Sequence, residues 1–140
     1  MTADQIDTFL AKTRQAVLLR TNRDGTANGA VVWFDWDGTS VRMFSMTNAP
    51  KVRGLERDPR ISVLVANDID EPPSWVRFDG TAVLDRDDDT VSLAVDVLAP
   101  RYWDLADPAA AAVVEQWKDA PGGALVTIRL DPDRIVSYGP

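Results

Sequence analysis

A mainly β domain, an antiparallel barrel with helices packed outside it, is the fold class this sequence predicts. Three observations carry that reading. Asp-Gly turns at 24–25 and 37–38 separate short apolar runs, the strongest local signal for antiparallel hairpins. Stretches such as "RISVLVAN" (60–67) and "WVRFDGTAVLD" (75–85) are strand-like, the second alternating apolar and polar residues. Helical periodicity is confined to the first residues, a short segment after the third strand, and a block from Arg86 to about Asp119.

Taken in order, residues 3–14 place Ile6, Phe9 and Leu10 at helical spacing, with Asp4 near the start and Lys12 and Arg14 near the end, so charges match the helix dipole. "AVLLRTN" (16–22), "ANGAVVWFDW" (27–36) and "SVRMFSM" (40–46) then read as three strands of an antiparallel meander. A helix opens at Asn48 or Ala49, with Pro50 in its first turn, and Asp58-Pro59 ends it. Strand 60–67 leads into the surface loop "DIDEPPS" (68–74), and strand 75–85 bends at Gly80. "DDDTVSLAVDVLA" (87–99) and "PAAAAVVEQWKD" (108–119) are helices, each with a suitable first turn. Gly122-Gly123 stops them, and "ALVTIRL" (124–130) with "RIVSYG" (134–139) forms a closing strand broken at Asp131-Pro132. No repeat or linker divides the chain, so residues 1–140 form one domain.

Composition narrows the chemistry. The 140 residues carry a net charge of −7 and no histidine or cysteine, which removes His-dependent nucleophile triads, ordinary zinc sites and disulfides. A pI near 4.5 argues against nucleic acid as a partner. No apolar run reaches the length of a membrane span, and the first residues lack a secretory layout, so the expectation is a cytoplasmic protein. Chemistry must then rest on carboxylates, Lys/Arg, hydroxyls or a borrowed cofactor.

One segment runs against the acidic background. "FSMTNAPKVRGLERDPR" (44–60) holds Lys51, Arg53, Arg57 and Arg60 against Glu56 and Asp58. Such a run is commonly a solvated helix face, with Glu56 pairing Arg53 or Arg60. A helix N-terminus with Lys51 in its first turn, fed by Ser45, Thr47 and Asn48, is equally the layout of an anion site. Elsewhere, Trp33 and Trp36 fall on opposite faces of their strand, one toward core and one toward an interface. Trp103 and Trp117 read as packing within the helices, and Asp87, Asp88 and Asp89 as first-turn acids matched to a helix dipole rather than a metal site.

The segments "LLRTNRDGTANGAVVWFDWDG", "MFSMTNAPKVRGLERDPRISVLV", "WVRFDGTAVLD" and "ALVTIRLDPDRIVSYG", in that order, resemble the pyridoxamine 5'-phosphate oxidase-like split β-barrel family. More narrowly, they are similar to its actinobacterial branch that uses the deazaflavin coenzyme F420. The resemblance spans nearly the whole chain apart from a helical insert around 86–121. It implies a homodimeric FMN-binding-type split barrel with cofactor sites at the dimer interface, acting as an oxidoreductase. Hydride would pass from reduced F420 to a small conjugated organic acceptor. An FMN-dependent oxidase or reductase of the same fold, and a non-catalytic F420- or flavin-binding protein, are the alternatives.

By that resemblance, Ser45, Thr47, Asn48, Lys51 and Arg53 would hold the phosphate, and Met46 belongs to the same cofactor-binding segment. Val32, Trp33 and Phe34 would meet the ring, their backbone groups facing its polar edge, and Trp75 would help wall the site. Two positions depart from the flavin-binding oxidases: Ala49-Pro50-Lys51 stands where Ser-Arg-Lys is usual, and "AVLLRTN" carries Arg20 in place of a lysine. Arg57 or Arg60 would lie along the path of the anionic F420 tail.

Overall fold

The computed structural model describes residues 1–140. The first helix, α1 (Ala3–Ala11), begins at a reciprocal cap: the Thr2 hydroxyl accepts from the Gln5 N–H at 3.2 Å, and the Gln5 side chain accepts from the Thr2 N–H at 2.7 Å. It buries Ile6 and Leu10 and stops at Lys12, short of the expected Arg14. The two cations are drawn elsewhere. Arg14, almost fully buried, makes a two-pronged contact with Glu71, and Lys12 reaches the same carboxylate at 2.6 Å.

Strands β1 (Ala16–Thr21) and β2 (Ala27–Val32) form the expected hairpin, with Ala16 opposite Val32. The expected long strand 27–36 does not form. It splits into β2 and a two-residue β3 (Asp35–Trp36), and β3 pairs with β4 (Val41–Met46). The three-strand meander is therefore two hairpins joined at Trp33-Phe34. Phe34 turns its ring into the core, and its N–H is taken by the Tyr102 hydroxyl instead of a neighbouring strand.

Helix α2 (Pro50–Arg57) follows, then β5 (Arg60–Ala66) and the long β6 (Trp75–Asp85). The helical block is α3 (Asp89–Ser92), a π-helical turn over Leu93–Leu98, α4 (Ala99–Tyr102) and α5 (Pro108–Lys118). The closing strand breaks at Asp131-Pro132 as expected, and its halves, β7 (Leu125–Leu130) and β8 (Arg134–Tyr138), pair with different stretches of β6. No helix is long and apolar enough to cross a membrane.

The sheet order is β2-β1-β5-β6-β7-β4-β3, with β8 beside β6, and all the pairings are antiparallel. The two ends of that order, β2 and β3, are consecutive in sequence, so the barrel's seam lies at Trp33-Phe34. Strand β6 serves both halves, pairing with β8 before Gly80 and with β7 after it. The anticipated bend sits there because the backbone comes close. A Cβ at Gly80 would lie 2.8 Å from Leu130 Cδ1 and 3.4 Å from the Asp131 carbonyl.

Two apolar cores result. The barrel core contains Leu18, Phe34, Met43, Val63, Phe78 and Ile128, with Leu10 of α1 packed into it. A second core under the insert joins Ala94, Val95, Ala99, Val114 and Trp117 to Leu125 of β7, with Trp33 and Phe44 against it. The buried Thr90 and Thr127 hydroxyls, 2.7 Å apart, tie α3 to β7. The seam at Trp33 thus lies where the two cores meet.

Candidate functional site

Beside the seam a cavity of about 320 Å³ opens between barrel and insert, lined by Gln15, Val32, Trp33, Phe44, Lys51, Trp103 and Trp117, with Val31 at its edge. Its walls are mainly aromatic. Trp33 is central: Tyr102 lies parallel to it at 4.9 Å, Trp103 meets it edge-on at 4.7 Å, and Trp117 and Phe44 stand 6.3 and 6.4 Å away. Such walls suit a flat ring and leave it few hydrogen-bond partners.

The polar end of the cavity is cationic. Lys51 enters from the first turn of α2, whose N-cap, Ala49, provides no side-chain cap. Pro50 has no N–H and Val52 and Arg53 both donate to the Ala49 carbonyl, so Lys51 itself carries the one N–H of that turn without a backbone partner. Burial, and then the nearby charge of Arg20, push the Lys51 ammonium below its ordinary value. Arg20, near the end of β1, lies against α2 at Gly54. A Cβ there would sit 2.8 Å from its guanidinium carbon and collide with Nη1. The Arg20 Nε is buried and has no hydrogen-bond partner. Two neighbouring cations, one with an unmet buried donor, leave a concentration of positive charge that an anion would relieve.

The rest of the cationic run is a solvated face, with Arg53, Glu56, Arg57 and Arg60 exposed, but its pairing differs from the expected one. Glu56 pairs with neither Arg53 nor Arg60 but with Arg86 at 2.9 Å, and the same Arg86 donates from Nε to the Thr47 hydroxyl at 2.9 Å. Arg60 is held by Asp58, whose carboxyl its hydrogen bonds lower to about 2. Of the fifteen lysines and arginines, only Arg20, Arg23, Lys51, Arg53, Arg57 and Arg101 form no ion pair. Four of those six lie on α2 or against it.

The residues expected to form the site are therefore partly assembled. Val32, Trp33 and Lys51 line one cavity. Met46, Thr47 and Asn48 form the turn that leads into α2. The Thr47 N–H is bound to the Ala124 carbonyl, and its hydroxyl proton stays free for a further acceptor. Ser45 is the penultimate residue of β4, opposite Val126, and Arg53 is exposed on α2. Phe34 contributes no side chain, since its ring is in the barrel core and its N–H is engaged. Trp75 lies away from the cavity, stacked on Tyr138 of β8 at 6.4 Å.

Trp103 and Trp117, which read from sequence as packing, do pack, and they also wall the cavity. No sequence motif singles out Arg86, Tyr102 or Gln15. Only the crowding of Tyr102-Trp103 behind Pro100 hints at an aromatic arm.

Fold and site together define a split β-barrel with an anion-ready, aromatic-walled groove at its seam. The chain belongs to the pyridoxamine 5'-phosphate oxidase family, whose sequence profile matches residues 2–135. Among solved structures it resembles the conserved hypothetical protein Rv2991 of Mycobacterium tuberculosis, with TM-score 0.75 and 22% identity over 99% of this chain and 84% of that one. A putative pyridoxamine 5'-phosphate oxidase of Listeria innocua follows, with TM-score 0.71 and 19% identity over 98% of each chain. A protein described as an F420 reductase superposes with TM-score 0.63 and 20% identity over 93% of this chain and 94% of the other. At these identities the likeness is one of fold. No curated protein matches the chain significantly.

Proposed function

We propose that the chain is a reductase that binds coenzyme F420 and delivers hydride to a small conjugated acceptor. The observation that carries this reading is the unpaired Arg20–Lys51 pair, with its orphaned Arg20 Nε, abutting an aromatic cavity at the seam. The residues present fit such a coenzyme at both ends. Arg20, Lys51 and the Thr47 hydroxyl would hold the phosphate. Trp33, Phe44, Trp103 and Trp117 would flank the ring and exclude water from it. Arg53 and Arg57, which form no ion pair, would meet an anionic tail, which favours F420 over FMN because FMN ends at one phosphate.

When bound, the reduced deazaflavin ring supplies a hydride, and solvent supplies the proton that completes reduction of the acceptor. No histidine is required in that scheme, in keeping with the composition. A second copy of the chain would complete the site. The outer face of β1 and β2 supports a dimer: Val31 is 62% exposed there, and Val17 and Leu19 lie at 3.4 Å from the position of a Cβ on Gly29. Trp75 would reach a ligand only from such a partner copy. FMN is the second reading, favoured by membership of the pyridoxamine 5'-phosphate oxidase family.

Anaerobic mixing of the protein with reduced F420 and a panel of quinones and enones tests the proposal. Coenzyme reoxidation that depends on both protein and acceptor is expected. A protein that purifies with tightly bound FMN and ignores F420 would transfer the reading to the flavin, and saturable F420 binding without turnover would make the chain a carrier.

A further inference from the structure

The barrel seam leaves Phe34 in an awkward position. Its ring is fully buried, and between β2 and β3 no strand receives its N–H. The donor is met by the Tyr102 hydroxyl at 3.2 Å. The same oxygen lies 2.5 Å from the Arg14 carbonyl and 3.4 Å from the Phe34 carbonyl. A hydroxyl has one proton to give, and the shorter contact takes it. Tyr102 therefore donates to Arg14 and accepts from Phe34, bridging the seam to the start of β1.

Its ring does a second job, lying within 2° of parallel to the Trp33 indole. The neighbouring residues reinforce the hold: Trp103 stands at 90° to the same indole, and Arg101 donates to the Leu10 and Lys12 carbonyls at 2.8 and 3.1 Å. The π-helical turn at Leu93–Leu98 sets the rotational phase of this arm, since one residue beyond the α-helical count rotates the downstream residues by about 100°.

We propose that Tyr102 is a positioning residue for the ring slot: it fixes the plane of Trp33 and occupies the Phe34 N–H, so a bound ring is recognised by the aromatic walls and not by the Phe34 amide. The idea rests on the cofactor reading for the identity of the ring, and it departs from the family-based expectation that the backbone at Phe34 meets the ring's polar edge. The arm is anchored at too many points to act as a loose plug. It is part of the wall.

The test uses the full chain and Tyr102→Phe, which keeps the ring and loses the hydroxyl. In wild type the Phe34 amide should be protected from hydrogen exchange, and in Y102F it should exchange at least tenfold faster than the change in global stability accounts for. Affinity for F420 and FMN should fall about tenfold with the loss of one wall's alignment, while inorganic phosphate competes equally well against both proteins. Parallel losses for ring ligands and phosphate would mean a merely structural role and would overturn the proposal. So would an unprotected Phe34 amide in wild type, a measurement that stands even if Y102F does not fold. A wild type that binds neither ring ligand sinks the cofactor reading instead, and the Phe34 amide still decides whether Tyr102 caps it.

Discussion

Replacing Gly54 by alanine should separate stability from binding. Gly54 is buried on α2, and the Arg20 guanidinium occupies the space a side chain would take, its carbon 2.8 Å from the position of a Cβ. Alanine is the better helix former by about 1 kcal/mol. The obstacle is the far end of a flexible side chain, and displacing Arg20 to a less favourable rotamer costs about 0.5–1.5 kcal/mol. The two effects nearly cancel, so stability should stay within about 1 kcal/mol of wild type. Arg20 would then point away from the anion. Loss of one hydrogen bond to a charged group costs about 1.5–3 kcal/mol, or about 10- to 150-fold in affinity. Thermal denaturation paired with a fluorescence titration reads both quantities. A stable Gly54→Ala protein that binds F420 or FMN as tightly as wild type would show that Arg20 does not touch the ligand. A stability loss above about 2 kcal/mol would show that Arg20 is wedged and not flexible.

The remaining predictions concern charge. Arg53→Gln with Arg57→Gln should weaken F420 binding and flatten its salt dependence, while FMN affinity, measured in the same titration, stays within about twofold. Lys51, held below its ordinary value by burial and then by Arg20, should be pulled back upward when an anion binds. Affinity should therefore fall as pH rises through its depressed value toward the ordinary 10.5, and titrations over an alkaline series should show a shallower fall in Lys51→Arg. Glu71 is lowered from 4.5 to about 2 by hydrogen bonds from Arg14, then Lys12, then the Asp68 N–H. A depressed carboxyl stabilises the fold above its unfolded value and loses that contribution as pH falls, so melting temperature should drop between about 4.5 and 2. Glu71→Gln should flatten that part of the curve.

Much of the fold was legible because turn chemistry and strand periodicity are local. The Asp-Gly hairpins, the Pro50 start of α2 and the bend at Gly80 appear where the residues put them. The split at Trp33-Phe34 was not legible, because it reflects long-range pairing, β2 with β1 and β3 with β4, and the Phe34 N–H finds its partner in the Tyr102 hydroxyl, sixty-eight residues away in sequence. The same limit applied to the closing strand: "ALVTIRL" and "RIVSYG" have strand patterns, but their pairing with different stretches of β6 depends on where β6 turns.

At the site, Lys51 and Trp33 were readable as a helix-start cation and a strand aromatic, and the structure places both at one cavity. Charge pairing was not readable. Glu56 stands among four cations in sequence, yet its partner is Arg86 from beyond β6, and Arg53 and Arg57 form no ion pair. Trp75 looked adjacent by family pattern, yet in a single chain it belongs to the β6–β8 edge.

The central claim is that Arg20 and Lys51 hold the anionic end of a coenzyme whose ring lies against Trp33. Titrating wild type and the Arg20→Ala, Lys51→Ala double variant with F420, while following tryptophan emission, tests it most directly. Saturable quenching is expected in wild type at micromolar coenzyme, with its loss in a double variant that melts normally. Identical curves for the two proteins, or no saturable binding of either F420 or FMN to wild type, would contradict it.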